Sequence, residues 1–201
     1  PDMAAQYIVF NKAAQEDALQ RNTFVDHEVK TMHALAKKRT DVMKVCNELD
    51  LNAIAEVLEL RDLVLEQADR EGKVELGKRF GIDFEDMDDD KLKRVVRSVA
   101  DGINETMKRF QWSDKNEVEE TQIYWKARQS HKKTRVWKPK FSNDWYVGKA
   151  QELWRQMKAI EKSVILFTHD GYLKHFERKN LDLSQGRRNA LPIKFMIVDE
   201  C

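Results

Sequence analysis

The chain has 201 residues, of which 41% are hydrophobic and five are Trp, so it carries enough apolar material to fold around a core. It holds no apolar run of the roughly 18 residues that a membrane span needs, and its two cysteines, Cys46 and Cys201, are too few for a disulfide framework or a cysteine-based zinc site. We therefore expect an intracellular protein, in the cytoplasm or nucleus, with no membrane partner, cofactor or metal. Pro1 and Asp2 precede Met3, which indicates added residues or a piece of a longer protein.

The net charge of +1 hides a division along the chain. Residues 1–120 hold 19 Lys/Arg and 27 Asp/Glu, a net charge of −8, whereas residues 121–201 hold 17 and 8, a net charge of +9. We interpret residues 1–201 as a single domain that can be sub-divided into an acidic helical part, 1–120, and a basic helix-plus-hairpin part, 121–201. These parts either attract each other, within one chain or between copies, or the basic part binds a separate polyanion.

Helical periodicity dominates the first 162 residues. One long helix is predicted from Thr23, with an apolar stripe formed by Val25, Val29, Met32, Ala36, Met43 and Cys46. A second helix is predicted to begin at Asp50 or Asn52 and to end at Gly72, because glycine readily adopts the left-handed conformation that terminates helices. The short connection between the two predicts an antiparallel pair.

An acidic run, Asp83–Asp90, invites comparison with a calcium-binding loop. An EF-hand loop that began at Asp83 would place Met87 at a ligand position and Asp88 where glycine is needed, so this match fails. The same carboxylates suit a helix N-terminus, where they can accept hydrogen bonds from free N–H groups. We therefore predict that Asp88–Asp90 begin a helix whose apolar stripe is Leu92, Val95, Val96, Val99, Ile103 and Phe110.

Two further helices and a small sheet are predicted after residue 112. Ser113 can cap a helix that carries Val118 and Trp125, and Ser142 or Asn143 can cap one that carries Tyr146, Ala150, Leu153, Met157 and Ile160. Residues typical of β-strands flank Asp170-Gly171, a dipeptide suited to a hairpin turn, so a β-hairpin is predicted there. The segment IKFMIV, residues 193–198, is predicted as a further strand. The predicted fold is mainly α (α+β), with about five to six helices and a small antiparallel β element near the C-terminus.

The stretch Trp125–Phe141, called the basic stretch below, carries the strongest functional signal. It holds seven Lys/Arg, one His and three large aromatic residues without an acidic residue, and Pro139 predicts a loop or extended segment from about 131 to 141. Cations that bind phosphates and aromatic rings that stack on bases occur together on RNA-binding and single-strand-binding surfaces. The predicted nucleic-acid-binding residues are Lys126, Arg128, Lys132, Lys133, Arg135, Trp137, Lys138 and Lys140, extended by Arg187 and Arg188.

Evidence for an enzyme is weaker. Asp199 and Glu200 follow an apolar strand, as in metal-dependent nucleotide hydrolases or phosphodiesterases, but the chain has no glycine-rich phosphate-binding loop. The five His residues lack metal-ligand spacing, and no nucleophile motif is present. The sequence therefore assigns no catalytic residue, and it argues against an enzyme without excluding a site assembled from distant residues.

These observations favour a helical module that binds nucleic acid, more readily RNA. The alternative is a non-enzymatic protein-interaction adaptor or scaffold, with acidic and basic faces that dock protein partners or further copies of the chain. For the basic stretch itself, the alternative to binding is that Trp125 and Phe141 belong to flanking helices, that Trp137 anchors the stretch to the core, and that the lysines are simply solvated.

Overall fold

The computed structural model describes residues 4–9, 12–21, 27–40, 42, 44–123, 126–130, 133–137, 140–159, 165–179 and 193–198. Within these residues the fold is mainly helical, and the helices are α1 Lys12–Arg21, α2 Met32–Thr40, α3 Leu51–Val57, α4 Leu60–Glu71, α5 Lys73–Phe80, α6 Asp89–Gln111, α7 Asn143–Lys158 and α8 His169–Arg178. The strands are β1 Ala4–Val9, β2 His27–Thr31, β3 Val45–Cys46, β4 Lys126–Ser130, β5 Lys133–Trp137, β6 Phe167–Thr168 and β7 Ile193–Val198.

The chain divides into two compact units. Residues 1–43 and 172–201 form one, called the terminal unit, and residues 44–171 form the other, called the central unit. No helix among the described residues has the length and apolar character needed to cross a membrane.

The terminal unit contains a parallel three-stranded sheet in the order β2-β1-β7. α1 connects β1 to β2, which makes a βαβ crossover, and β7 returns from the far end of the chain to pair with β1. Ile8 and Val9 of β1 are almost completely buried, as expected for a central strand. On α2, Leu35 and Ala36 are buried, and the hydroxyl of Tyr172 lies 2.6 Å from Nδ1 of His33.

The long helix predicted from Thr23 does not form as a single element. Residues 27–31 are β2, α2 begins only at Met32, and residues 45–46 are β3. The backbone hydrogen bonds of residues 27–31 go to β1, so pairing with a distant strand overrides the local helical period.

The central unit is built around α6, which packs against α3, α4 and α7. As predicted, Asp88 caps α6, because its Oδ1 accepts a hydrogen bond of 2.7 Å from the backbone N–H of Lys91. The predicted apolar stripe of α6 is buried along its length, from Leu92 to Phe110. The last residues of the acidic run therefore serve to begin α6, and the apolar residues after them serve to bury one side of that helix.

The segment predicted as one helix from Asp50 to Gly72 is two helices. Asp50 caps α3 by accepting a hydrogen bond of 2.9 Å from the N–H of Asn52. A residue with positive φ, Glu59 at 51°, separates α3 from α4, and Gly72 follows α4 with φ of 91°. The predicted stop at Gly72 is confirmed, since positive φ at that position suits glycine.

The helix predicted after Ser142 is confirmed as α7. The Ser142 hydroxyl accepts a hydrogen bond of 3.3 Å from the N–H of Trp145, and the predicted face is buried at Tyr146, Ala150, Leu153 and Met157. Ile160 lies outside the described residues. An aromatic cluster supports this packing, because Trp154 of α7 contacts the rings of Phe110 and Phe167 edge-on.

The prediction of a helix that begins at Ser113 is wrong. The Ser113 hydroxyl instead donates to the carbonyl of Phe110 at the end of α6, and the helical turn found in the described residues 113–123 is a short 3-10 turn at Glu120–Gln122. The acidic sequence between Ser113 and this turn offers one buried apolar residue, Val118, which is too little to bury one side of a helix.

The predicted antiparallel element near the C-terminus is also corrected. Asp170 and Gly171 lie in the first turn of α8, where the Thr168 hydroxyl accepts a hydrogen bond of 3.0 Å from the Gly171 N–H. A carboxylate in the first turn of a helix is stabilised by the helix dipole, so Asp170 suits this role as well as a turn. β6 and β7 both pair in parallel, with β3 and β1 respectively, and the antiparallel pair of the described chain is β4 with β5.

Candidate nucleic-acid interface

Most of the basic stretch forms an antiparallel two-stranded ribbon, β4–β5. The register pairs Lys126 with Trp137 and Ser130 with Lys133, so two residues, His131 and Lys132, connect the strands in the sequence. A two-residue connection is the commonest way to join antiparallel strands. The sequence had predicted a loop or an extended segment here, and residues 133–137 are extended.

The register of the ribbon divides its residues between two faces. Direct cross-strand partners lie on the same face, and successive residues of a strand alternate between faces. One face, called the basic face below, therefore holds Lys126, Arg128, Ser130, Lys133, Arg135 and Trp137. The opposite face holds Ala127, Gln129, Thr134 and Val136. Every cation of the two strands thus shares a face with Trp137.

The charge on the basic face is not balanced within the ribbon. Neither strand contains an acidic residue, and Arg128 is the direct cross-strand partner of Arg135. Like charges in direct opposition destabilise a sheet.

Lys140, another predicted binding residue, is engaged elsewhere. Its ammonium donates a hydrogen bond of 2.5 Å to the carbonyl of Arg79 at the end of α5, and the Arg79 guanidinium donates one of 3.1 Å to the carbonyl of Lys140. The same ammonium lies 5.9 Å from the ring centre of Phe80. Lys140 thus fastens the end of the basic stretch to α5, and phosphate binding would compete with these contacts.

The remaining predicted binding residues, Lys132, Lys138, Arg187 and Arg188, lie outside the described residues. Arg187 and Arg188 belong to the terminal unit, whereas the ribbon belongs to the central unit. Their participation stays a prediction.

The acidic run is occupied by local contacts. Asp83 accepts a hydrogen bond from the N–H of Glu85, and Lys91 contacts Asp86 at 2.8 Å. The hydrogen bond from Lys91 lowers the pKa of Asp86, and the one from Lys93 is the main cause that lowers the pKa of Asp89. Within the described part of the chain, no group of three or more His, Cys, Asp or Glu is arranged to hold a metal ion.

The parallel sheet of the terminal unit offers a second place to look for a site, the edge at which two of its strands end. Because β7 pairs in parallel with β1, with Val198 opposite Ile8, the two strands end at the same edge. Asp199 and Glu200 follow β7 directly in the sequence, and Asn11 and Lys12 follow β1 closely. Asp199, Glu200 and Asn11 lie outside the described residues. Ligands of open parallel sheets bind outside the carboxyl ends of the strands.

One exposed aromatic residue, Trp112, is not among the residues predicted from the sequence. It follows α6, is 70% exposed, and its indole N–H donates a hydrogen bond of 2.8 Å to Asp170 at the start of α8. Trp112 directly follows the helix that carries the apolar stripe of α6. Helical periodicity therefore does not predict that its side chain is exposed. The hydrogen bond restrains an indole ring that remains largely open to solvent.

Searches against protein-family models, curated proteins and solved structures return no significant match for this chain.

Proposed function

We propose that the protein binds nucleic acid through the basic face of the β4–β5 ribbon, and that it prefers RNA or other single strands. The observation that carries this proposal is the register, in which all four cations of the two strands share a face with Trp137. Cations gain affinity for phosphates by releasing condensed counterions, and this gain does not depend on base sequence. An aromatic ring beside them adds stacking, for which unpaired bases are available.

A preference for single strands is the part of the proposal that needs a direct comparison. A two-stranded ribbon can also enter the major groove of duplex DNA, where arginine reads guanine edges. Equilibrium binding to RNA, single-stranded DNA and duplex DNA of equal length, at several salt concentrations, separates these possibilities. Stronger binding to the duplex would contradict the single-strand preference and leave the basic face as the binding surface.

Two double variants with the same change in net charge test the basic face. Arg128→Gln with Arg135→Gln removes two positive charges from it, whereas Gln129→Glu with Thr134→Glu adds two negative charges at neighbouring positions of the opposite face. We expect the first variant to weaken single-strand binding about tenfold or more at roughly 0.1 M salt, and to reduce the slope of log K against log salt by about 1.4. The second should change affinity by only about twofold, through long-range repulsion.

The measurement is fluorescence anisotropy with a labelled oligonucleotide, together with thermal unfolding of each variant. Equal losses in the two variants would show that only net charge matters and would remove the basic face as the site. Absence of nucleic-acid binding by the parent chain would instead favour the protein-interaction adaptor, whose basic part docks an acidic protein surface.

The parallel sheet supports a second candidate function, metal-dependent hydrolysis of a phosphate ester or anhydride, nucleoside triphosphates included. Support comes from two carboxylates, Asp199 and Glu200, that directly follow a strand paired in parallel with a buried neighbour. Carboxylates at the carboxyl edge of a parallel sheet suit a hard cation such as Mg²⁺, which in turn binds phosphate oxygens.

This second function predicts Mg²⁺-dependent release of phosphate from a nucleoside triphosphate, or cleavage of RNA or DNA, by the purified chain. Asp199→Asn should abolish that activity while the thermal unfolding midpoint stays unchanged, because a carboxylate ligand is lost without a change in volume. Asp17→Asn, on the exposed side of α1, is the matched control in the same unit. No activity toward any of these substrates would remove the hydrolase and leave the nucleic-acid proposal untouched.

A further inference from the structure

A groove between α3 and the first half of α6 lies in the central unit and takes no part in the proposals above. It has a volume of about 630 Å³, which is in the range of sites for small molecules. Its floor is apolar, formed by Leu51 and Ala55 of α3 and by Leu92 and Val96 of α6.

The two helices that form the groove run in opposite directions. Arg61, in the first turn of α4 and so close to the end of α3, contacts Asp89 at the start of α6 at 2.8 Å. Before α3, Glu48 lies on the side of the later part of α6, since its charge adds to the rise in the pKa of Lys108 that the hydrogen bond donated by Lys108 to Glu105 mainly causes. The beginning of α3 therefore faces the later residues of the groove wall on α6, and its end faces the earlier ones.

Charged residues of both signs line the groove. Glu56 and Asp90 are its carboxylates, and Arg61 and Lys93 are two of its cations. Arg94 and Arg97, one turn apart on α6, are the other two.

Arg94 and Arg97 differ from the other cations of the groove. Arg61 and Lys93 both form ion pairs with Asp89. Arg94 and Arg97 are exposed, and among the described residues neither has an ion-pair or hydrogen-bond partner. Two guanidinium groups one turn apart can hold a single carboxylate, sulfonate or phosphate with paired hydrogen bonds.

We propose that this groove binds a small amphipathic anion, in which an apolar or aromatic body lies on Leu51, Ala55 and Val96 and one anionic group contacts Arg94 and Arg97. The length of the groove favours a small ligand over a protein helix. From Asp90 to Arg97 the wall on α6 rises by only about 10 Å, whereas helices docked in grooves use anchors over two or more turns on both partners. The carboxylates of Glu56 and Asp90, which also line the groove, disfavour a polyanion that would extend along it.

Two fluorescent probes with similar bodies test the proposal. 8-Anilino-1-naphthalenesulfonate is an aromatic anion of suitable size, and N-phenyl-1-naphthylamine is its uncharged counterpart. We expect the anion to saturate one site on the native chain. Arg94→Gln with Arg97→Gln should weaken anion binding about tenfold to a hundredfold, the range for lost hydrogen bonds to a charged group, and change binding of the neutral probe about twofold or less.

Two further variants complete the experiment, one as a control for charge and one that fills part of the groove. Lys44→Gln with Arg155→Gln removes two exposed positive charges from the same unit outside the groove, and should leave both affinities within about twofold. Ala55→Leu adds bulk to the floor of the groove and should weaken the binding of both probes about tenfold. The larger side chain displaces part of each probe, which then loses apolar contact worth roughly two methylene groups. The proposal is overturned if the anion does not saturate, if the two charge variants lose affinity equally, or if Ala55→Leu binds both probes normally.

Discussion

Leu153→Ala should lower the free energy of unfolding by about 2–5 kcal/mol. Leu153 lies on the buried face of α7, is 0% exposed, and belongs to the core that α6 and α7 share. Its removal leaves a cavity in a core whose large aromatic side chains are held in place, since Trp154 makes edge-on contacts with Phe110 and Phe167. The loss should appear as a lower midpoint in urea unfolding followed by circular dichroism, with an unchanged dependence on denaturant.

Leu65→Ala is the matched control for this experiment. Leu65 occupies a helical position on α4 in the same unit but is 38% exposed, so the same truncation should cost less than about 1.5 kcal/mol. Equal losses at the two positions would mean that Leu153 does not pack as described. A loss below about 0.5 kcal/mol at Leu153 would contradict its burial altogether.

The helices that the sequence predicts well are those whose determinants are local. α6 and α7 each have a capping side chain, Asp88 or Ser142, followed by a long apolar stripe, and both features lie within one segment of the chain. Gly72 likewise acts through its own backbone conformation. Such features need no knowledge of distant partners, which is why the sequence alone predicts them.

Several strands, and the pairing of the one that was predicted, were missed because their determinants are distant. Residues 27–31 contain one apolar position that suits a helix as well as a strand, and only hydrogen bonds to β1 decide between the two. β7 was predicted as a strand, but its parallel pairing depends on β1, at the opposite end of the chain. At Asp170-Gly171 the composition suits a turn, and the Thr168 cap decides for a helix instead.

The candidate nucleic-acid interface likewise has features that the sequence predicts and features that depend on the fold. Composition alone identified the basic stretch, since seven Lys/Arg without an acidic residue are visible in the sequence. The distribution of those cations between faces could not be predicted, because it depends on a register in which Arg128 opposes Arg135. The contact between Lys140 and Arg79 also required the fold, since α5 lies far from the basic stretch in the sequence.

Trp137→Ala should weaken binding to single-stranded nucleic acid by about 1–3 kcal/mol while the thermal unfolding midpoint stays nearly unchanged. Trp137 shares the basic face with Lys126, its cross-strand partner, so a base stacked on the indole would have its phosphate within reach of a cation. Duplex DNA, whose bases are already stacked, should lose less affinity. Parallel measurements of anisotropy and thermal unfolding on the one variant give both quantities.

Val136→Ala is the control, because Val136 is the neighbouring residue on the opposite face of the ribbon. It should leave nucleic-acid affinity within about twofold, since it removes no stacking surface from the basic face. If Trp137 instead anchors the ribbon to the core, Trp137→Ala should lower stability by about 3–5 kcal/mol and alter affinity only where the chain unfolds. That result would exclude stacking by Trp137, and binding would then depend on the four cations of the basic face alone.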